Sequence, residues 1–162
     1  MESHEVELDG KTYQAPHIVV ATGSEPLMPN DLEGIEYALS SDGFFHLEEL
    51  PKKVAVIGSG YIGVELAGIL NTLGAETHLF LRGDRPLHRF DNMLGETLLE
   101  IMLQQGMHIH PNHRAQKISL RDNGQKSIYC QSGSELSGFD AVIAAVGRAP
   151  RTKNPSTFLQ IF

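Results

Sequence analysis

The run Val54-Ala55-Val56-Ile57-Gly58-Ser59-Gly60-Tyr61-Ile62-Gly63 restricts this chain more than any other stretch. A short apolar segment, of the kind a strand buried on both faces requires, leads straight into glycines spaced G-x-G-x-x-G. A helical pattern begins at once beyond them: Ile62, Leu66, Ile69, Leu70 and Leu73 fall on one face, and Gly74 stands where a C-terminal helix glycine belongs. Residues 77–81 then read as a second strand. The spacing predicts a β-α-β unit around a dinucleotide-binding turn. In that turn Gly58 allows the sharp bend, Gly60 leaves the backbone bare where a pyrophosphate would approach, and Gly63 lets the helix lie close to the strand. The helix N-terminus presents unpaired amides and the positive end of its dipole to phosphate. The alternative is a glycine-rich turn that binds nothing, and the strand–helix–strand context weighs against it.

Which dinucleotide is expected depends on the end of the second strand. An NAD site places Asp or Glu there to accept from the ribose 2′-OH, whereas an NADP site supplies Arg for a 2′-phosphate. Here the strand ends Leu79-Phe80-Leu81-Arg82. Leu81 cannot accept a hydrogen bond, while Arg82, with Arg85, His88 and Arg89 close behind, can hold a dianionic phosphate through charge-assisted bonds. NADPH is therefore the expected ligand. Asp84 competes within the same loop, and Gly63 stands where many NADP sites carry alanine. Without the glycine motif, the cluster would read as a solvated basic loop.

Composition narrows the remaining choices. At 162 residues the chain has room for one domain and part of a second. With 41% hydrophobic and 20% charged residues it has enough apolar side chains to bury a core. The formal net charge of -7 removes the positive field that nucleic acid or an anionic membrane surface would need, so an anionic ligand must be held by local groups. No run approaches the ~18 apolar residues of a membrane span, and the acidic start Met1-Glu2-Ser3-His4-Glu5 does not read as a targeting segment. Cys130 is the only cysteine, which excludes an intrachain disulfide, favours a reducing, cytoplasmic setting, and reads as an inert strand residue. His108 and His110 share one strand face, with His113 near them. No carboxylate or cysteine beside them completes a ligand set, so no metal is expected and the three read as a solvated strand edge.

The rest of the chain supplies the surrounding elements. Val6-Glu7-Leu8 and Tyr13 flank Asp9-Gly10 and predict a small hairpin; residues 17–21 predict a third strand; the stretch to Pro51 reads as a linker with a short helical turn. Asp91 is expected to cap a second helix with Leu94, Leu98, Ile101 and Met102 on its apolar side, ending at Gly106, with a strand over 107–110 behind it. Residues 116–120 and 126–131, joined at Asp122-Asn123-Gly124, predict an antiparallel hairpin laid over the sheet, and 140–146 a last buried strand ending at Gly147-Arg148. The expected fold is α/β: a Rossmann-like three-layer NAD(P)-binding domain with an antiparallel β cover.

Several segments together resemble the glutathione reductases. They are Ala21-Thr22-Gly23, Ser41-Asp42-Gly43-Phe44-Phe45, the glycine run through Val64-Glu65-Leu66-Ala67-Gly68, Thr77-His78-Leu79-Phe80-Leu81-Arg82 and Ala145-Val146-Gly147-Arg148-Ala149-Pro150. The resemblance implies a flavoenzyme that takes hydride from NADPH onto FAD and passes electrons through a redox dithiol to glutathione disulfide. It assigns 1–45 to a remnant of the FAD-binding domain and linker, 46–153 to the NADPH-binding domain, and 154–162 to a divergent tail. It also implies that Tyr61 covers the flavin, that Glu65 belongs to the polar network beside it, and that Gly147 and Arg148 border the cofactor on its far side. The family's second phosphate-binding arginine falls at His88, so 2′-phosphate affinity is expected to be weaker and more pH-sensitive.

The FAD-binding glycine motif, the redox cysteine pair and the dimerisation domain with its His-Glu pair are expected outside this chain. FAD then belongs to the full-length parent only, no catalytic set is complete here, and the isolated chain is expected to be inactive. Two alternatives stay open. One is the same domain from a related reductase of the dihydrolipoamide dehydrogenase or mercuric reductase type. The other is a non-catalytic module that self-associates through exposed strand edges.

Overall fold

The computed structural model describes residues 4–152. Contacts divide the chain into two units, one formed by 1–25 with 148–162 and the other by 26–147. In the first unit β1 (Glu5–Leu8) and β2 (Lys11–Gln14) form an antiparallel hairpin. Asp9 (φ 50°) and Gly10 (φ 73°) are both left-handed, as a two-residue turn matched to strand twist requires. The strand expected over 17–21 does not form. Among the described residues no strand pairs with it, and Val19 is 87% exposed, so an apolar run alone does not make a strand without a partner edge. The third strand is instead β3 (Ser24–Pro26).

The second unit follows in chain order: β4 (Leu39–Ser40), β5 (Lys53–Ile57), α1 (Tyr61–Thr72), β6 (Glu76–Phe80), α2 (Asn92–Gln104), β7 (His108–His110), β8 (Ala115–Leu120), β9 (Lys126–Cys130), β10 (Glu135–Phe139) and β11 (Ala141–Ala144). The final strand, β12 (Arg148–Pro150), returns to the first unit and pairs with β3. Strands β4, β11, β5, β6 and β7 lie in that order in one parallel sheet, and β8, β9 and β10 form an antiparallel sheet.

Strand alternation sorts the core into two sides. Val54, Val56, Leu79 and Ile143 pack against Leu66 and Leu70 of α1 and Met102 of α2. Ala55, Ile57, Phe80 and Val142 pack against Ile118, Ile128 and Phe139 of the antiparallel sheet. The parallel strands are covered on both faces, which is why their sequences read as unbroken apolar runs. The expected three layers are present: helices, parallel sheet, antiparallel cover.

The linker does more than connect. Residues 26–45 supply β4 at the sheet edge, two 3-10 turns at Ile35–Tyr37 and Gly43–His46, and Leu32, buried in the core beneath the cover. Contacts therefore place 26–45 with the glycine-turn unit, whereas the family resemblance assigns 1–45 to a separate remnant and linker. The cover also gains a third strand, β10, whose bulge between Ser137 and Phe139 breaks the alternation that would have announced it. On α2 the expected apolar side is only partly buried. Met102 and Gly95 face inward while Leu94 and Ile101 are exposed, and at Gly95 the first turn packs against the preceding loop. Asp91 caps α2 as expected, its Oδ1 accepting from Met93 N at 2.9 Å.

These assignments set two unequal costs. Leu70→Ala, in the seam between α1 and the sheet, should destabilise the chain by about 2–5 kcal/mol, and Asp91→Ala by about 1 kcal/mol. Urea denaturation followed by circular dichroism measures both, and equal losses would show that α1 does not carry the core.

Candidate dinucleotide-binding site

Gly58 to Gly63 occupy the C-terminal end of β5, beside the end of β11. That is where the chain's path through the sheet changes direction, and crevices in open α/β sheets form at such points. Gly58 has φ 139°, and a Cβ there would lie 2.2 Å from Ala145 O. A Cβ on Gly63 would lie 2.4 Å from Gly58 O, so the first turn of α1 rests on backbone. Gly60 differs: a Cβ would meet nothing within 4 Å. It is the N-cap of α1, no side chain caps the helix, and the first turn contains no acidic residue. Among the described residues, then, no side chain caps the start of the helix and no acidic residue of its first turn offsets its positive dipole end.

The basic loop after β6 is tied to this turn. Leu87 N donates to Ser59 O at 2.7 Å, with Leu87 itself left-handed at φ 53°. Ser59 is 8% exposed, and its Oγ lies 3.3 Å from His88 Nδ1. A left-handed leucine is unfavourable by itself, so the bond to the glycine turn is what fixes the loop. No local sequence signal announced this tether. Arg82 is exposed, and among the described residues no hydrogen bond or ion pair holds its side chain. Arg89 and His88 are exposed in the same loop. Arg85 points elsewhere: it bonds Asn92 Oδ1, lies 3.5 Å from Asp84 Oδ1 and packs under Gly95 of α2. Its Nε is the one buried side-chain polar atom without a partner among the described residues.

Tyr61 and Glu65 are both exposed, four residues apart on α1 and hence on one side of it. Gly147, at φ 139°, accepts from Leu27 N at 2.9 Å. Arg148 lies in the other unit and donates from Nε and an Nη to Ser24 Oγ and O, at 2.8 and 2.9 Å. Cys130 is buried, and burial pushes its thiol above the ordinary range, so it is not poised as a nucleophile. The reading of the histidines needs one correction. A carboxylate does join them, because β6 pairs with β7 and brings Glu76 and His78 beside His108 and His110. Sequence neighbours alone could not show it.

A parallel sheet with helices on one face, an antiparallel cover on the other and a glycine turn at the change of strand order define a Rossmann-like α/β domain. The model of the pyridine nucleotide-disulphide oxidoreductase family matches residues 1–160, and the chain belongs to that family. It is 44% identical over 146 residues to a glutathione reductase of Yarrowia lipolytica and 38% identical over 142 residues to one of Schizosaccharomyces pombe, covering 88% and 87% of this chain. Among solved structures it is similar to the HOCl-induced flavoprotein disulfide reductase RclA from Escherichia coli, with a TM-score of 0.77, 28% identity and 92% of this chain covered. The chain spans about a third of these relatives: 31%, 30% and 34% of their lengths. Among the described residues no helix is long and apolar enough to cross a membrane.

The three glycines should respond differently to a methyl group. Gly58→Ala and Gly63→Ala, each pressed on a carbonyl oxygen, should cost about 1–3 kcal/mol of stability, whereas Gly60→Ala should stay within about 0.5 kcal/mol. Thermal denaturation of the three variants checks this, and a large loss in Gly60→Ala would contradict the open environment described for it.

Proposed function

We propose that this chain is the NADPH-binding domain of a glutathione reductase-like flavoenzyme whose FAD site and redox dithiol lie elsewhere in a longer protein. One observation carries the reading. The N-terminus of α1, with no side-chain cap and with Gly60 bare beside it, lies at the C-terminal end of the sheet next to a loop whose Arg82 is exposed and has no partner among the described residues. These residues fit a dinucleotide. The amides at the start of α1 would hold the diphosphate, and Arg82, with His88 and Arg89, would hold the 2′-phosphate by charge-assisted bonds. Arg85, turned toward α2, would brace the loop instead. Identity to glutathione reductases over most of the chain supports the family-level reading.

Bound here, NADPH would supply the hydride for reducing the flavin of the parent enzyme. The role of this chain is to bind and orient the nucleotide. Tyr61 and Glu65, exposed on one side of α1, would face the flavin in the parent protein. Cys130 is the only cysteine and is buried, so a dithiol cannot come from this chain and the fragment should be inactive alone. A single buried thiol fits a reducing, cytoplasmic setting. The fold likeness to a flavoprotein disulfide reductase supports a second reading: the equivalent domain of a related reductase with another substrate, of the dihydrolipoamide dehydrogenase or mercuric reductase type.

Calorimetric titration tests the proposal. NADPH should bind the wild-type chain, Arg82→Ala should lose about 1–3 kcal/mol of NADPH affinity and little NADH affinity, and Gly60→Ala should weaken both nucleotides. Absence of NADPH binding at millimolar concentration would overturn the assignment. Equal losses of both nucleotides in Arg82→Ala would overturn the NADP preference and favour the second reading.

A further inference from the structure

A cluster of imidazoles and a carboxylate lies at the edge of the parallel sheet nearest the start of β6, at the opposite end from the glycine crevice. Parallel pairing sets His78 opposite His108 and Phe80 opposite His110, all on the face toward the antiparallel cover. The rings of His78 and His108 lie 4.5 Å apart and 19° from parallel. Two residues earlier on the same face of β6, Glu76 Oε1 lies 2.9 Å from His78 Nε2. One ligand atom from each of Glu76, His78 and His108 falls within 4.8 Å of the others.

We propose that Glu76, His78 and His108 form a binding site for a borderline divalent cation of the Zn2+ class, separate from the nucleotide site and independent of it. Two donors held ~2.0–2.2 Å from a tetrahedral ion stand ~3.3–3.6 Å apart, so Glu76 Oε1 and His78 Nε2, now 2.9 Å apart in a hydrogen bond, need to open by only a few tenths of an ångström to share one. His108, exposed and stacked on His78, already brings one ring nitrogen within 4.8 Å of the other two ligand atoms and stands as the third ligand. Imidazole and carboxylate donors suit zinc and its neighbours rather than Mg2+ or Ca2+, which prefer oxygen donors only.

His78 is the anchor of the site. It is 7% exposed, packs edge-on against Phe139, and its Nδ1 lies 2.9 Å from His110 Nε2. Without metal the ionised Glu76 can only accept, so His78 Nε2–H donates to it and His78 Nδ1 accepts from His110 Nε2–H. With metal on Nε2, the His78 proton would move to Nδ1 and be donated to His110 Nε2, whose own proton shifts to His110 Nδ1. That is the outer hydrogen bond by which ligating histidines are usually held. The same heavy-atom geometry serves both states. The competitor is Lys53, whose Nζ lies 3.0 Å from Glu76 Oε1 and occupies the carboxylate when no cation is present.

The test is titration of the intact chain with Zn2+ alone, read by calorimetry and by competition with a chromophoric chelator. Saturable one-site uptake is expected. His108→Ala and Glu76→Gln, both at exposed positions, should weaken it at least about tenfold, and Lys53→Met should tighten it. His46→Ala, which removes an exposed histidine outside the cluster, should leave affinity unchanged. No saturable uptake at millimolar Zn2+ would overturn the proposal. So would unaltered affinity in His108→Ala, or a loss in His46→Ala equal to that in His108→Ala.

Discussion

The contact on which this structure depends is a close approach of backbone to backbone. Gly63 sits against Gly58 O, and Gly58 sits against Ala145 O, so the first turn of α1 and the ends of β5 and β11 meet with no side chains between them. Any Cβ at the first two positions would separate helix from strand. The same closeness aims the start of α1 at the mouth of the sheet, where the open environment of Gly60 leaves its amides available. Packing thus fixes two glycines of the motif by what they touch and leaves the third, Gly60, in the open.

That arrangement also governs the loop after β6. The loop is tied to the glycine turn by the bond from Leu87 N to Ser59 O and the contact of His88 with Ser59, while Arg82 and Arg89 stay exposed. Ser59, between the first two glycines, therefore ties the glycine turn to the basic loop after β6. Arg85, which by sequence is one more cation among four, turns under Gly95 and joins the loop to α2 instead. Proximity in sequence gave the composition of the basic loop but not the direction of its members.

How far the sequence was readable follows the range of the interactions involved. The β5-α1-β6 unit was legible because its periodicities and glycine punctuation are local, and so were the Asp91 cap and the Asp9-Gly10 hairpin. The strand at 17–21 was misread because an apolar run signals strand potential while strand formation needs a neighbouring edge. β4 and β10 were missed for the opposite reason: two residues are too few to show a period, and a bulge erases one. The glycine turn was legible as a motif, whereas its tether through a left-handed Leu87 carried no local signal.

The histidine cluster shows the same limit most plainly. His108 and His110 were recognisable as sharing one strand face, but the carboxylate and buried imidazole beside them come from a strand thirty residues earlier, and only the β6–β7 register brings the two together. Because β6 is buried on both sides, a histidine on it must have its nitrogens satisfied, and Glu76 and His110 do so from its two ends. The hydrogen bond from His78 and the nearby Lys53 ammonium hold the Glu76 carboxyl down at about 2, while burial pushes the His110 imidazole down to about 4. The imidazoles and the carboxylate therefore meet only through the pairing of β6 with β7, which no local pattern in either strand announces.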